Sequence, residues 1–81
     1  MLAIAIQPEN QGMGAGSVII KELELLLKDG GHRILIVDTS GTQEFERTRE
    51  FYRQNNYNEE ARIRDFWSEG DDKIIFWKSL K

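Results

Sequence analysis

Two short apolar runs, residues 2–6 and 34–37, bracket one strongly apolar helical segment, and that order constrains the chain to a βαβ unit. The first run, Leu2-Ala3-Ile4-Ala5-Ile6, is continuous rather than alternating, as suits a strand buried on both faces. Pro8-Glu9-Asn10 breaks it. Across residues 18–28, Ile19, Ile20, Leu23, Leu26 and Leu27 fall at helical spacing. Lys28 complements the negative end of the helix dipole, and Gly30-Gly31 supplies a left-handed stop. Residues 33–38 then form a second strand rich in β-branched side chains. Two strands joined through a helix run parallel, and the crossover is right-handed.

The remainder reads as a helix and a hairpin. Thr39-Ser40-Gly41-Thr42 is a turn, followed by a helix over residues 43–55. Phe45, Thr48, Phe51 and Tyr52 lie on its inward stripe, with Glu46, Arg47, Glu50 and Arg53 outward. Asn56 is placed to end it in a left-handed conformation. Residues 57–65 alternate weakly, with Tyr57, Ala61 and Ile63 on one side, and predict a half-exposed strand. A turn at residues 68–72 leads to a last strand at residues 73–78, antiparallel to its predecessor. The expected fold class is α/β, in the order β-α-β-α-β-β, with a mixed sheet.

Composition bounds the function. At 81 residues the chain is one small domain, residues 1–81. A net charge of -3 argues against a general phosphate-backbone binder, so no nucleic-acid partner is expected. The absence of cysteine excludes a disulfide framework, a Cys-ligated metal and a thiol nucleophile, and it fits a reducing, cytoplasmic setting. No apolar run is long enough for a bilayer, so no membrane partner is expected. No metal site is expected either. Glu69, Asp71 and Asp72 read as a solvated turn, His32 as a surface residue in a Gly-Gly-His-Arg turn, and Asp38 as a cap after its strand. The arginines Arg47, Arg49 and Arg53 are interleaved with glutamates, as in surface ion pairs.

The segment Gln11-Gly12-Met13-Gly14-Ala15-Gly16-Ser17 reads as a glycine-rich loop entering the first helix. Free N–H groups and the macrodipole at such a junction attract an anion, and glycine lets a phosphate approach the backbone. A Walker A loop is excluded, because no lysine follows the glycines. A dinucleotide fingerprint fits poorly: Ser17 stands where its third small residue belongs, and residues 7–11 separate the strand from Gly12.

Gln11-Gly12-Met13-Gly14-Ala15-Gly16 resembles the Gln/Arg-x-x-Gly-x-Gly/Ala motif of GNAT-family N-acetyltransferases. Two further segments match that family in order. Thr48-Arg49-x-Phe51-Tyr52-x-x-x-Asn56-Tyr57 is similar to its second helix end, with Asn56 in place of the usual glycine. The run from Ala61 through Asp65-Phe66-Trp67 to Gly70-Asp71-Asp72-Lys73 is similar to its final hairpin. The resemblance covers essentially the whole chain but only the C-terminal half of the family fold, a truncated, acetyl-CoA-binding half.

The resemblance implies an enzyme, or the coenzyme-binding part of one, that transfers acetyl from acetyl-CoA to an amine. It implies that backbone groups of Ile4 and Ile6 bond the pantetheine arm where the first two strands splay apart. It places the N–H groups of Met13, Gly14, Ala15 and Gly16, beside Gly12 and the Gln11 amide, on the pyrophosphate. Tyr52 would protonate the departing sulfur; equally, it reads as a core aromatic. The alternative is a non-catalytic coenzyme A-binding or interaction module left after loss of the acceptor half. The first strand would then present an open apolar edge, which predicts a homo-oligomer or pairing with a separate N-terminal half.

Overall fold

The computed structural model describes residues 2–4 and 13–81, with side chains described from residue 16 onward. The elements in chain order are β1 (Leu2–Ile4), α1 (Met13–Asp29), β2 (Ile34–Ser40), a 3₁₀ turn (Gln43–Phe45), α2 (Glu46–Gln54), β3 (Asn58–Ser68) and β4 (Asp71–Ser79). This is the expected β-α-β-α-β-β order. The four strands form one sheet in the order β1-β2-β4-β3. β1 runs parallel to β2, with Leu2, Ala3 and Ile4 level with Leu35, Ile36 and Val37. β4 lies antiparallel to both β2 and β3.

Both helices end as the sequence predicts, through the same device. After α1 the His32 N–H bonds the Leu27 carbonyl at 3.0 Å and Gly31 N–H bonds Lys28 at 3.0 Å, with Gly31 at φ 89°. After α2 the Tyr57 N–H reaches the Tyr52 carbonyl at 2.9 Å and Asn56 N–H reaches Arg53 at 3.0 Å, with Asn56 at φ 70°. These are Schellman closures, which satisfy carbonyls that would otherwise be left open. Asparagine serves at the second because its short side chain tolerates the left-handed region.

The core lies on one face of the sheet. Leu35 and Val37 from β2, Ile74 and Phe76 from β4, Ile20 from α1, and Phe51 and Tyr52 from α2 are completely buried. Three expectations need correction. Of the apolar positions in α1, Ile19 is 58% exposed and Leu26 71%. The helix instead turns Gly16, Ile20, Glu24 and Leu27 inward, a line spaced four, four and three residues apart, because it packs through one narrow stripe. β3 is longer than expected and exposed along its whole length, including Ala61 and Ile63, because among the described residues it is an edge strand with no helix packed over it. Tyr57, expected within that strand, instead precedes it and is buried. Charged side chains and a register shift between Glu59 and Ala61 blunt that edge.

Strand register assigns the other face. Ile36 pairs with Trp77 and Asp38 with Ile75, so these residues point away from the core, while Val37 with Phe76 and Thr39 with Ile74 point into it. Among the described residues, no helix packs its buried side chains on that second face.

Candidate functional site

The glycine-rich segment does not form a loop over its described part. Met13, Gly14, Ala15 and Gly16 are already helical, forming the first turn of α1. Gly16 is buried at the inner stripe, where glycine adds no side chain against the core. The correction alters the chemistry little. The first N–H groups of a helix have no intrahelical partner and point out along its axis. The first turn of α1 contains no acidic residue, so nothing there repels an anion, and Lys28 sits in its last turn. Gln11, Gly12 and Ile6 lie outside the described residues.

β1 leads into α1 and runs parallel to β2, so the start of α1 belongs to the end of the sheet where both strands finish. That end of a parallel pair is where α/β folds bind ligands. The two strands are still paired at Ile4, which is level with Val37, so the expected splaying is not present over residues 2–4.

Tyr52, the expected proton donor, is completely buried. Its ring meets Phe51 edge-on at 5.2 Å, Tyr57 edge-on at 5.5 Å and Phe76 at 5.5 Å. It therefore packs as a core aromatic and sits on the helix that follows β2. Beside it is a polar network that sequence reasoning missed. The Tyr57 hydroxyl donates to Glu24 at 2.7 Å, and Lys78 Nζ reaches the other Glu24 oxygen at 2.9 Å and the Asn55 carbonyl at 2.8 Å. The Asn55 amide bonds Ser17 Oγ at 3.1 Å and the Phe51 carbonyl at 2.9 Å. This network fixes α1 to the end of α2 and to β4, and so holds the first turn of α1 in place. Burial, and then the hydrogen bond to Glu24, push the Tyr57 phenol far above its ordinary range. Tyr57 and Lys78 lie 33 and 54 residues from Glu24 in sequence, beyond the reach of any local pattern.

Two other assignments change. Arg49 makes no helix-surface ion pair; its guanidinium donates to the Ser40 and Thr42 carbonyls at 2.8 and 2.7 Å and ties the end of β2 to α2. Arg53 behaves as expected, pairing with Glu50 at 3.3 Å and with Glu59 at 3.1 Å. Asp38 does not cap its turn. It pairs with Lys73 at 3.2 Å across the second face of the sheet. His32 is exposed, as expected.

The turn between β3 and β4 is pinned by its carboxylates. Asp72 accepts from the Asp65 N–H at 2.9 Å and from Arg62, while Asp65 accepts from Gly70 N–H at 2.8 Å. Asp65 itself stands at φ 55°, a left-handed residue that the sequence did not reveal. The Asp65 N–H, and then Arg62, hold the Asp72 carboxyl below its ordinary value of 3.8. The ionised form is thus favoured in the folded turn. Its contribution is present above the ordinary value and disappears as pH falls through the lowered one. We expect the β3–β4 turn to loosen below about pH 4 before the core unfolds. Amide exchange at Asp65 and Gly70 checks this, and in Asp72→Asn the acid sensitivity of those amides should vanish.

Solved structures place this arrangement. A protein from Desulfovibrio desulfuricans assigned to the GNAT family of acetyltransferases superimposes with a TM-score of 0.86 at 28% identity, over 98% of this chain and 53% of its own. The chain has the fold of the C-terminal half of a GNAT-family N-acetyltransferase. An N-acetyltransferase from Staphylococcus aureus Mu50 matches this half-fold with a TM-score of 0.77 at 16% identity, over 98% of this chain and 51% of its own. An aminoglycoside 6'-N-acetyltransferase solved with coenzyme A matches the GNAT half-fold with a TM-score of 0.77 at 14% identity, over 98% of this chain and 59% of its own. The chain spans about half the length of the solved structures it matches. No family model matches the sequence, and no curated protein matches it. Among the described residues no helix is long and apolar enough to cross a membrane.

Proposed function

We propose that this chain binds acetyl-CoA and serves as the coenzyme half of an N-acetyltransferase acting on a primary amine. The observation that carries this is the first turn of α1. Its amide donors, which have no intrahelical partner, and its lack of acidic residues stand at the finishing end of a parallel strand pair, in a fold shared with a protein solved with coenzyme A. The N–H groups of Met13, Gly14, Ala15 and Gly16, with Gly12 and the Gln11 amide, hold the pyrophosphate. Backbone groups of Ile4 and Ile6 hold the pantetheine arm. The neutral amine nitrogen bonds the thioester carbonyl carbon as the C–S bond breaks; Tyr52 gives its proton to the sulfur, the proton released by the acylated nitrogen passes to water, and Tyr52 is reprotonated from solvent.

The test is thermal melting with coenzyme A, acetyl-CoA and NAD. At 100 times its dissociation constant a ligand adds about 2.7 kcal/mol. We expect that shift with either coenzyme A species and none with NAD. Because Gly14 is helical, Gly14→Val leaves the helix intact and blocks the phosphate with its side chain, so the shift should disappear while the unliganded melt stays. Equal binding by this variant would remove the phosphate site from α1. A non-catalytic coenzyme-binding module is the second reading, favoured by the complete burial of Tyr52. Thiol release with added amines separates the two.

We further propose that a second chain, either another copy or a separate N-terminal half, covers the second sheet face. Ile34, Ile36, Ile75 and Trp77 lie there half-buried, and β1 is an edge strand among the described residues. Light scattering should give a mass above that of one chain, unless a separate half is needed; a monomer that also ignores an added N-terminal half would overturn this.

A further inference from the structure

The outer side of α1 meets the end of β4 in an open groove of about 320 Å³. Lys21, Leu25 and Lys28 line it from one helix stripe, four and three residues apart, and Leu80 and Lys81 line it from the end of the chain. Leu25 is 61% exposed there, and Leu80 is buried. Glu24 also lines the groove, but its carboxylate is already held by Lys78 at 2.9 Å and by the Tyr57 hydroxyl at 2.7 Å. Lys21, Lys28 and Lys81 are exposed and, among the described residues, have no ion-pair partner. Three ammonium groups thus ring one apolar patch, on a chain whose net charge is -3. Such a concave surface favours an anionic occupant.

The chain carries the complementary surface at its other end. A second groove, of about 400 Å³, runs along the 3₁₀ turn and the start of α2, lined by Glu44, Glu46 and Glu50 with Gln43 and Arg47. Glu44 and Glu46 are exposed and, among the described residues, have no ion-pair partner, while Glu50 shares Arg53 with Glu59. Arg47 offsets one of these charges. Lys21 and Lys28 stand two helical turns apart, roughly 10 Å along α1, and Glu44 to Glu50 covers a similar length. The two grooves cannot meet within one molecule. The basic one adjoins the start of β2, where Leu80 N–H donates to the Arg33 carbonyl at 2.8 Å. The acidic one follows the end of β2, whose seven residues span roughly 23 Å.

We propose that the basic groove of one copy takes the acidic groove of a second copy. The contact joins two different surfaces, head to tail, so each added copy leaves one groove of each sign open and the assembly can extend. Exposed ion pairs are individually weak, so the association is reversible, dependent on concentration and sensitive to salt. It does not involve the first turn of α1 or the second sheet face, and it stands whether or not the chain binds a coenzyme.

Sedimentation velocity of the full chain at about 0.01 M and about 1 M salt tests this, because the screening length falls from ~30 to ~3 Å between them. We expect the mass to rise with concentration at low salt and to settle at a constant value at high salt. A pair formed through the apolar second face survives high salt and sets that constant value. Lys21→Gln with Lys28→Gln, and separately Glu44→Gln with Glu46→Gln, should each weaken the low-salt association on the order of tenfold. An equimolar mixture of the two variants should associate again, since each retains the groove that the other has lost. Both variants remain net negative, so opposite overall charge cannot account for such a recovery. Glu60→Gln with Glu69→Gln removes as much negative charge elsewhere and should associate as the parent does. A parent whose mass ignores salt overturns the proposal, and so does either groove variant associating as its parent does. A mixture that fails to recover also overturns it. If the parent stays at its high-salt mass yet binds poly-glutamate through Lys21 and Lys28, the groove serves another acidic chain and the second copy is ruled out. Should the paired lysine variant fail to fold, the exposed Lys21→Gln alone and the glutamate variant still decide.

Discussion

Phe51→Ala is expected to cost about 3–5 kcal/mol of folding free energy. Phe51 is completely buried on α2, and its ring sits against Tyr52 at the centre of the packed face. Truncation leaves a cavity between a helix and a sheet that can approach each other only slightly, because Asn55 and Tyr57, further along the same segment, are already committed to partners. A domain this small has a total stability near the low end of ~5–15 kcal/mol, so most of it is lost. The melting temperature should fall by more than about 10 °C. Leu26→Ala is the matched control. It removes a comparable apolar group from a position 71% exposed, and its cost should stay within about 0.5 kcal/mol. If the two variants melt alike, the core has been misplaced.

Tyr52→Phe is expected to lower acetyl turnover by ~10²–10⁴-fold while leaving coenzyme binding in place. The ring contacts to Phe51, Tyr57 and Phe76 survive the change, and only the hydroxyl goes. Tyr57 is the informative contrast. Its phenol is held far above the ordinary range by burial and by Glu24, so it keeps its proton throughout the working range. Tyr57→Phe should cost about 1 kcal/mol of stability through the lost hydrogen bond and leave turnover alone. Steady-state rates and melting curves on the two variants separate a proton donor from a structural phenol. Unchanged turnover in Tyr52→Phe makes Tyr52 a core residue only.

Local chemistry was legible in the sequence, and distant pairing was not. The stops at Gly31 and Asn56 follow from which residues tolerate a left-handed backbone, and both occur as expected. The inward positions Phe51 and Tyr52 follow from helical spacing, and β2 and β4 from their β-branched runs. The segment proposed to face phosphate was singled out by its glycines, although its backbone proved helical over residues 13–16. What escaped was set by tertiary contacts. Asp38 meets Lys73 only because β4 lies beside β2, and no pattern in either strand announces that. Arg49 looked like a surface charge because its carbonyl partners carry no side-chain signature. The exposed Ile19 and Leu26 misled because apolar spacing alone cannot tell which of two adjacent stripes packs.

The sheet order has a consequence for how the chain is made. β4 comes last among the described elements yet lies between β2 and β3. On the ribosome, β2 and β3 emerge before the strand that joins them. β2 then has only β1 beside it, and β3 has no ladder at all. Leu35, Val37, Phe51 and Tyr52 cannot close their core until Ile74 and Phe76 arrive. At synthesis rates of about 5–20 residues per second the unfinished apolar face stays open for seconds. Exposed apolar surface of this kind is what makes unfinished chains prone to aggregate, and a ribosome stalled before residue 74 would display a half-built sheet with its seam exposed.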